Sequence, residues 1–408
     1  FNHFLITSRH RRNSFVALTL PKGAVTMLKL NKLFHKGGAD ANVFEDRIAP
    51  TREQRKFLME CKNKVREHLK PRIRAATKTV LGMEHVVEPR FRTQGSWSYN
   101  TCVVPAKSPA QEMDWDYGVY LPVTVWEENG PPHQMAKAYF TLVEELLKDL
   151  CNKEKWELIT GKNTCIRIQI AAWAHIDLPL YAAPEDEFET ITERVSLEKA
   201  MLNRMDHVAN ACAMDESYQS QQWKDLDHIA MATRGGEWRD SDPEAVANWF
   251  RDRVEEHGEQ LRRVCRYLKA WRDEHWDSGG PTSVSIMIAV AQNFVAQPGR
   301  DDLVTEAAAK HLGVLFKGEI REAGIDDEKE DFNRLEGSDR TIAARRFANL
   351  GTAIYESRMM REHQKGQAVT QMRAQFGSRM PWDTTLIEGG GEADAIRNST
   401  PEKVAPPV

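Results

Sequence analysis

The run QEMDWDYGVYLP at residues 111–122 decides the fold of this chain. Residues 114–121 alternate in polarity, which predicts a strand with Asp114 and Asp116 on one face. The other face carries four large apolar side chains: Trp115, Tyr117, Val119 and Leu121. Two ionised carboxylates that point the same way repel each other unless a cation binds them, and oxygen ligands suit Mg²⁺ or Mn²⁺. The strand therefore predicts a metal site on its polar face.

A third carboxylate is expected on a neighbouring strand. Residues 164–170 (TCIRIQI) and 175–181 (HIDLPLY) both alternate between apolar and polar side chains. Arg167 lies on the polar side of the first run and Asp177 on the polar side of the second. Asp177 would complete a triad with the two aspartates of the first strand, and such a triad can hold two metal ions roughly 3.5–4 Å apart.

The upstream sequence separates this aspartate pair from others in the chain. The chain contains two more Asp-x-Asp pairs, Asp225/Asp227 and Asp240/Asp242. We interpret those as a solvated face and a helix cap. The run PRFRTQGSWSYNT at 89–101 contains Gly95, which lets backbone amides approach a phosphate, and Ser96, which adds a hydroxyl donor. Gly-Ser alone is also typical of a turn, but Gly-Ser, then Asp-x-Asp, then a single Asp resembles the polymerase-β-like nucleotidyltransferase superfamily.

Longer runs make the resemblance more specific. They are TQGSWSYNT (93–101), QEMDWDYGVYLP (111–122), HIDLPLYAAPEDEF (175–188), SDPEAVANWF (241–250) and RRVCRYLKAWRDEHWDSGGPTSVSIM (262–287). Over roughly residues 50–330 the chain resembles the bacterial cGAS/DncV-like nucleotidyltransferases, in the branch of the cyclic GMP–AMP synthases. The resemblance implies an α+β fold in which a polymerase-β-like core with a mixed sheet joins a helical C-terminal domain, with the active site in a central cleft.

The resemblance also implies roles for individual residues. Asp114, Asp116 and Asp177 would be both the catalytic and the metal-binding residues. The nucleotide-binding residues would be Gln94, Gly95, Ser96, Tyr99, Arg167, Lys269, Ser283 and Asp327. Within this set, Gln94, Ser96, Lys269 and Ser283 would hold triphosphates, Tyr99 would stack on a base, and Asp327 would contact the second base. From the residues alone, Tyr99 could equally be a core aromatic, and the basic face of Lys269 could simply be solvated.

The activity implied is a magnesium-dependent, template-free condensation of two nucleoside triphosphates, ATP and GTP, into a 3′,3′-cyclic dinucleotide such as cyclic GMP–AMP. Two Mg²⁺ ions, or Mn²⁺, would serve as cofactors. The product would activate a downstream effector in anti-phage defence, and ubiquitin-like conjugation partners would act on the C-terminal tail. A cyclic trinucleotide synthase, a linear oligonucleotide synthase and a non-catalytic nucleotide-binding protein stay open as alternatives.

One position departs from the related synthases. Their inhibitory folate pocket uses an aromatic residue in the segment before Gly-Ser, and this chain has Arg92 at that place. The sequence therefore argues against regulation by folates.

Composition limits the partners that the protein can bind and the cellular compartment in which it is expected. The chain has 408 residues, a net charge of −4 and a pI near 6.4, which argues against stable binding of nucleic acid. Six cysteines without a CxxC pair favour a reducing cytoplasm over a disulfide framework or a zinc site. No apolar run reaches the roughly 18 residues that cross a membrane.

The organisation along the chain follows from periodicity and composition. Four parts are predicted: 1–26 as an upstream extension before a start at Met27, 27–190 as the nucleotidyltransferase core, 191–376 as a mostly helical domain, and 377–408 as a flexible tail. A signal peptide is the alternative for the first part. Within these parts, helices are expected from Thr51 to about Leu81 with a kink or end at Pro71, over 136–150, from Asp242 to about Trp276, and from about Ser283.

Overall fold

A computed structural model describes residues 27–37, 42–123, 133–184, 229–240, 243–326 and 330–389. These residues form one eight-stranded sheet. Its strands are β1 Arg90–Thr93, β2 Met113–Val123, β3 Glu157–Ile159, β4 Ile166–Ala171, β5 Ala174–Leu178, β6 Leu180–Pro184, β7 Ala230–Ala232 and β8 Trp238–Asp240. The predicted strand at 114–121 is therefore confirmed as β2.

The strand β2 lies at the centre of the sheet. Its first half pairs in parallel with β5, and its second half pairs in parallel with β6. Pro179 separates β5 from β6, and its carbonyl accepts a hydrogen bond from the backbone N–H of Val119, so the two strands together follow one side of β2. The strand β1 pairs with β2 in the antiparallel sense, and β4 continues the sheet beyond β5. This topology brings the three predicted carboxylate positions onto neighbouring strands.

The apolar face of the sheet packs on two long helices. These are α3, Arg52–Ala76, and α5, His133–Glu154. All four apolar side chains predicted for one face of β2 lie in this core, with Leu58 and Val65 of α3. The predicted helix at 136–150 is confirmed and is longer at both ends. Burial of this face leaves the opposite face of the first half of β2, which carries the two aspartates, available for a site.

The helix α3 begins as predicted but ends early. The hydroxyl of Thr51 accepts a hydrogen bond from the Gln54 backbone N–H, and the Gln54 side chain accepts one from the Thr51 backbone, which completes the expected capping box. The helix continues through Pro71, which lies on its exposed side, where water can solvate the carbonyl that a proline leaves without a donor. The helix ends at Ala76, short of the predicted Leu81, and a turn follows in which the backbone N–H groups of Val80 and Leu81 both donate to the Ala76 carbonyl.

The remaining helices, apart from the short α4, pack around a second core. In chain order they are α1 Asn31–Phe34, α2 Phe44–Ile48, α4 Gly95–Ser98, α6 Pro243–His257, α7 Glu259–His275, α8 Ser283–Ala291, α9 Asp301–Leu315, α10 Ala323–Asp326, α11 Gly337–Met359 and α12 Lys365–Phe376. The helix predicted from Asp242 to Trp276 is two helices, because Gly258 adopts φ +83° between α6 and α7. The predicted helix at Ser283 is confirmed, with Thr282 as its N-cap.

One part of the predicted organisation needs correction. The part expected to be mostly helical also adds two short strands, β7 and β8, to the sheet, which leaves that expectation in place. Residues 377–389 are not a flexible tail: Met380 and Ile387 are buried, and Glu388 pairs with Lys29 in a β-bridge. Large apolar side chains in this segment are the physical reason. The domain boundary near residue 190 stays a prediction.

Several predictions fall outside the described residues. They concern the extension at 1–26, the stretch 185–228, the cap at Asp242, the base contact of Asp327 and the end of the chain at 390–408. In the described ranges, no helix is both long and apolar enough to cross a membrane.

Candidate active site

The site begins with the register between two strands. Asp114 of β2 lies opposite His175 of β5, and Asp116 lies opposite Asp177. Alternation along each strand places all four side chains on the polar face of the sheet. The structure therefore brings together the three aspartates that the sequence predicted, and it adds a histidine.

Two cations hold the carboxylate of Asp177. Arg167 donates two hydrogen bonds to it, from Nε to Oδ1 and from Nη2 to Oδ2, both at 2.6 Å. The Nζ of Lys162 lies 3.2 Å from Oδ2. Burial alone would raise the pKa of Asp177, but the hydrogen bonds and charge of Arg167, with the charge of Lys162, bring it below its ordinary value. Asp177 is thus kept ionised and oriented, and Arg167 lies on the polar side of the sheet as predicted.

Asp116 is the carboxylate that meets the Gly-Ser turn. Gly95 has φ +59°, and a Cβ atom on it would lie 2.0 Å from Oδ2 of Asp116. The backbone N–H of Gln94 also donates to the Asp116 carbonyl at 2.9 Å. Burial, followed by the charges of Asp114 and Asp177, raises the pKa of Asp116 to about 7. A carboxyl group so placed favours either a proton or a bound cation.

His175 is the site residue that the sequence reasoning missed. Its Nδ1 lies 2.6 Å from Oε2 of Glu112, and its Nε2 lies 3.0 Å from Oδ1 of Asp114. Burial alone would lower the pKa of His175, and the adjacent Asp114 raises it above the ordinary value. A signal for it was present, since His175 stands two residues before Asp177 on the same strand face.

The donor set fits a divalent cation. Ligand atoms of Asp114, His175 and Asp177 all lie within 4.8 Å of one another. Oδ1 of Asp114 and Nε2 of His175 are buried, and apart from each other they have no polar partner. When the imidazole is neutral, its lone pair faces the carboxylate, which is costly unless another ligand satisfies both atoms, and carboxylates with an imidazole are common ligands of divalent metals. This group contains His175 where the sequence had expected Asp116.

The turn that carries Gly95 and Ser96 is fixed through Gln94. The side chain of Gln94 is buried: its Nε2 donates to the hydroxyl of Tyr120, and its Oε1 accepts from the hydroxyl of Tyr181 at 3.3 Å. These two tyrosine rings stack with centroids 4.7 Å apart. Ser96 itself is half-buried within α4. The Gln94 amide is thus occupied by the sheet, and its predicted contact with a triphosphate stays a prediction.

Tyr99 lies in the second core. It is 6% exposed, and its ring meets that of Phe250 edge-to-face with centroids 5.6 Å apart. Burial raises its pKa above the ordinary value. The side chain therefore has the surroundings of a core aromatic, which was one of the two interpretations of this residue. Stacking on a base stays a prediction.

Lys269 and Ser283 come from the helical part of the chain. Lys269 is buried on α7, and its Nζ donates to the carbonyl of Thr101 at 2.6 Å, in the loop that follows α4. Burial lowers the pKa of Lys269 to about 8. Ser283 is the first residue of α8, and its hydroxyl accepts a hydrogen bond from Arg272 at 3.1 Å. Lys269 therefore links the helical part to the Gly-Ser loop, while its predicted contact with phosphate stays a prediction.

Arg92 also connects the sheet with a helix. Its Nη2 lies 2.5 Å from Oε2 of Glu244 on α6, and both side chains are buried. A buried ion pair thus lies at the position where the resemblance implies an aromatic residue. That folates do not regulate the protein stays a prediction.

A polar sheet face with clustered aspartates beside a Gly-Ser turn defines a nucleotidyltransferase. A family model described as "Cyclic GMP-AMP synthase DncV-like, nucleotidyltransferase domain" matches residues 89–181, and a model described as "Cyclic GMP-AMP synthase, C-terminal domain" matches residues 258–389. A cyclic GMP-AMP synthase of Escherichia coli is 31% identical over 328 residues, which cover 78% of this chain and 74% of the relative. One from Vibrio cholerae is 37% identical over 254 residues, 60% of this chain and 57% of the relative.

Solved structures show the same fold. The Vibrio cholerae DncV cyclic AMP-GMP synthase in complex with the linear intermediate 5′ pppA(3′,5′)pG has a TM-score of 0.69 and 24% identity, covering 90% of this chain and 100% of that one. A mutant of that enzyme in complex with ATP, GTP and 5MTHFGLU2 has a TM-score of 0.71 at the same identity and coverage. The chain belongs to the DncV-like nucleotidyltransferase family and is a cyclic dinucleotide synthase.

Proposed function

We propose that the protein condenses one ATP and one GTP into 3′,3′-cyclic GMP–AMP and releases two pyrophosphates. The observation that carries this proposal is the pairing of β2 with β5, which places Asp116 opposite Asp177 and next to the turn at Gly95. The names of the relatives support the choice of product, since two of them are cyclic GMP-AMP synthases and one solved relative is in complex with ATP and GTP.

The residues would hold Mg²⁺, as two ions, on the carboxylates of Asp114, Asp116 and Asp177. Bound there, the metal would neutralise charge on the phosphates and favour ionisation of the acceptor 3′-hydroxyl. Arg167 and Lys162 keep Asp177 in place through the contacts described above. The small Gly95 lets the turn lie directly on Asp116, so that phosphates bound at Ser96 would be close to the carboxylates. Catalysis would then rest mainly on positioning and electrostatics.

The reaction takes place twice in one site. In each half, the 3′-oxygen of the acceptor forms a bond to the α-phosphorus of the donor, and the bond from that phosphorus to the pyrophosphate breaks. The linear intermediate turns round, and the second transfer closes the ring. Because the same polar face serves both steps, damage to the aspartates should stop linear and cyclic products together.

The test of the product is mass spectrometry of the reaction with all four nucleoside triphosphates. The proposal expects the mass of cyclic GMP–AMP, and complete digestion by a nuclease that cleaves 3′,5′ linkages. A product with the mass of a cyclic trinucleotide would contradict the proposal and favour a trinucleotide synthase. A product that phosphatase shortens would be linear and would favour a linear oligonucleotide synthase.

In the cell, the product would activate an effector that halts phage infection. This proposal rests on the family resemblance. Cells that express the protein together with its neighbouring genes should survive phage challenge, and cells that carry an inactive Asp114→Asn, Asp116→Asn variant should not. Equal survival of cells with the wild type and cells with the variant would contradict a role in defence. The proposed conjugation partners would act at 390–408, outside the described residues.

A further inference from the structure

The histidine beside the aspartates is held in one orientation. The side chain of His175 is only 6% exposed, and its Nδ1 lies 2.6 Å from a carboxylate oxygen of Glu112. An ionised carboxylate can only accept, so Nδ1 donates and carries a proton. In the neutral ring this leaves a lone pair on Nε2. A histidine that donates one ring N–H to a carboxylate and ligates a metal with the other nitrogen is the usual arrangement in metal sites.

The other ring nitrogen faces Asp114. The Nε2 of His175 lies 3.0 Å from Oδ1 of Asp114, the two form an ion pair when the ring is protonated, and both atoms are buried without a further hydrogen-bond partner. Two ligands at right angles, each about 2.1 Å from an octahedral ion, are themselves about 3 Å apart. The separation of Nε2 and Oδ1 is therefore that of neighbouring ligands of one ion. Asp177 is close by, since ligand atoms of Asp114, His175 and Asp177 all lie within 4.8 Å of one another.

We infer that His175 is a nitrogen ligand of one divalent cation, shared with Asp114 and Asp177, and that Glu112 orients it. An imidazole ligand suits transition metals better than Mg²⁺, which favours oxygen. The consequence is a site that prefers Mn²⁺ to Mg²⁺ more strongly than carboxylates alone would. The inference rests on the proposed metal-dependent function and extends it to the identity of a ligand and of the ion.

The direct test is pulsed electron paramagnetic resonance of the full chain loaded with Mn²⁺, without nucleotides. Protein with histidine of natural abundance should show hyperfine coupling to ¹⁴N, and protein labelled with ¹⁵N-histidine should show the ¹⁵N pattern instead. This comparison needs no substitution, so it does not depend on the folding of a variant. Mn²⁺ that binds without any nitrogen coupling would overturn the inference.

Variants then assign the nitrogen to one residue. In His175→Ala the coupling should disappear, and the Mn²⁺ affinity should fall by more than about tenfold while the Mg²⁺ affinity changes less. Glu112→Gln should keep the coupling but weaken Mn²⁺ binding by about 10–100-fold. His311→Ala is the matched control, because Nε2 of His311 is also buried without a hydrogen bond. Coupling that survives His175→Ala would assign the nitrogen elsewhere and overturn the inference.

Failure of the proposed metal-dependent function and failure of the His175 ligand role give different results in this experiment. If the chain binds neither Mn²⁺ nor Mg²⁺, with or without nucleotide, the proposed metal-dependent function fails, and this inference fails with it. If Mn²⁺ binds and supports synthesis but shows no nitrogen coupling, only the role of His175 fails, and the aspartates are then the protein ligands.

Discussion

Among single residues, Gly95 places the Gly-Ser turn against the carboxylates most directly. Its φ of +59° and the 2.0 Å between a would-be Cβ and Asp116 both require glycine. We expect Gly95→Ala to lose about 1–2 kcal/mol of stability from the left-handed backbone, and to lose about 100-fold in kcat because the Asp116 carboxylate is displaced.

A second glycine provides the control for this prediction. Gly82 has φ +69° with no atom within 4 Å of a would-be Cβ, so Gly82→Ala should lose similar stability and keep its activity. Thermal unfolding and initial rates of pyrophosphate release would be compared for the two variants. Equal activity in both would contradict the contact between Gly95 and Asp116.

The hydroxyl of Tyr181 is expected to position the same turn through Gln94. Tyr181→Phe removes its hydrogen bond to Gln94 Oε1 and should cost about 1 kcal/mol of stability, with a loss of kcat of about threefold to tenfold. Tyr139→Phe is the control, because it removes a buried hydroxyl that bonds to Val119 instead. Steady-state kinetics in which both variants lose activity equally would show a general effect on stability and none on the turn.

The pKa of Asp116 predicts how stability depends on pH. It is raised from 3.8 to about 7 in the folded chain, so the folded state binds this proton more tightly than the unfolded state. Its contribution to stability is therefore present below about pH 4 and lost as pH rises towards 7. In EDTA, the wild type should lose on the order of 4 kcal/mol across this window relative to Asp116→Asn. Parallel unfolding midpoints for the two proteins between pH 4 and 8 would contradict this pKa.

The sequence could predict the three aspartates because strand alternation and spacing are local properties. It could not predict the surroundings of Tyr99, since burial against Phe250 depends on a helix 150 residues away. The role of Gln94 was equally out of reach, because its tyrosine partners are on two other strands. His175 could have been found from its place beside Asp177, but its contact with Glu112 depends on the parallel register of β2 and β5.

Among the secondary-structure elements, β1 and α6 are joined by the buried pair of Arg92 and Glu244. Removal of one partner leaves the other charge buried, so Arg92→Leu should cost about 3–5 kcal/mol. The double variant Arg92→Leu, Glu244→Leu should recover most of that loss. Chemical denaturation of the two variants measures the difference. A double variant as unstable as Arg92→Leu would mean that other contacts of these residues, and not their ion pair, hold β1 to α6.

Elements with strong periodicity were predictable, and breaks between them were less so. The strand β2, the helix α5 and the cap of α3 follow local patterns and agree with the structure. The break at Gly258 was missed because the amphipathic pattern continues across it. The strands β7 and β8 have three residues each, too few for alternation to be recognised, and only the pairing of β7 with β6 and of β8 with β7 makes them part of the sheet.

In the protein as a whole, one core lies under the sheet and the other lies among the helices. The contact of Lys269 with the Thr101 carbonyl shows that a side chain from the helical part reaches the loop that follows the Gly-Ser turn. The fold class could be predicted because long runs of sequence resemble the family over roughly residues 50–330. The ordered structure of residues 377–389 could not be predicted, since it depends on pairing with the distant segment around Lys29.

The central claim is that the aspartates on β2 carry out metal-dependent synthesis of a cyclic dinucleotide. The most direct test incubates the wild type and the double variant Asp114→Asn, Asp116→Asn with labelled ATP, GTP and Mg²⁺, and follows pyrophosphate and cyclic product together. The wild type should form both, and EDTA should stop it until Mg²⁺ is restored. The double variant, with an unchanged circular dichroism spectrum, should form neither. Undiminished release of pyrophosphate by the double variant would contradict the account.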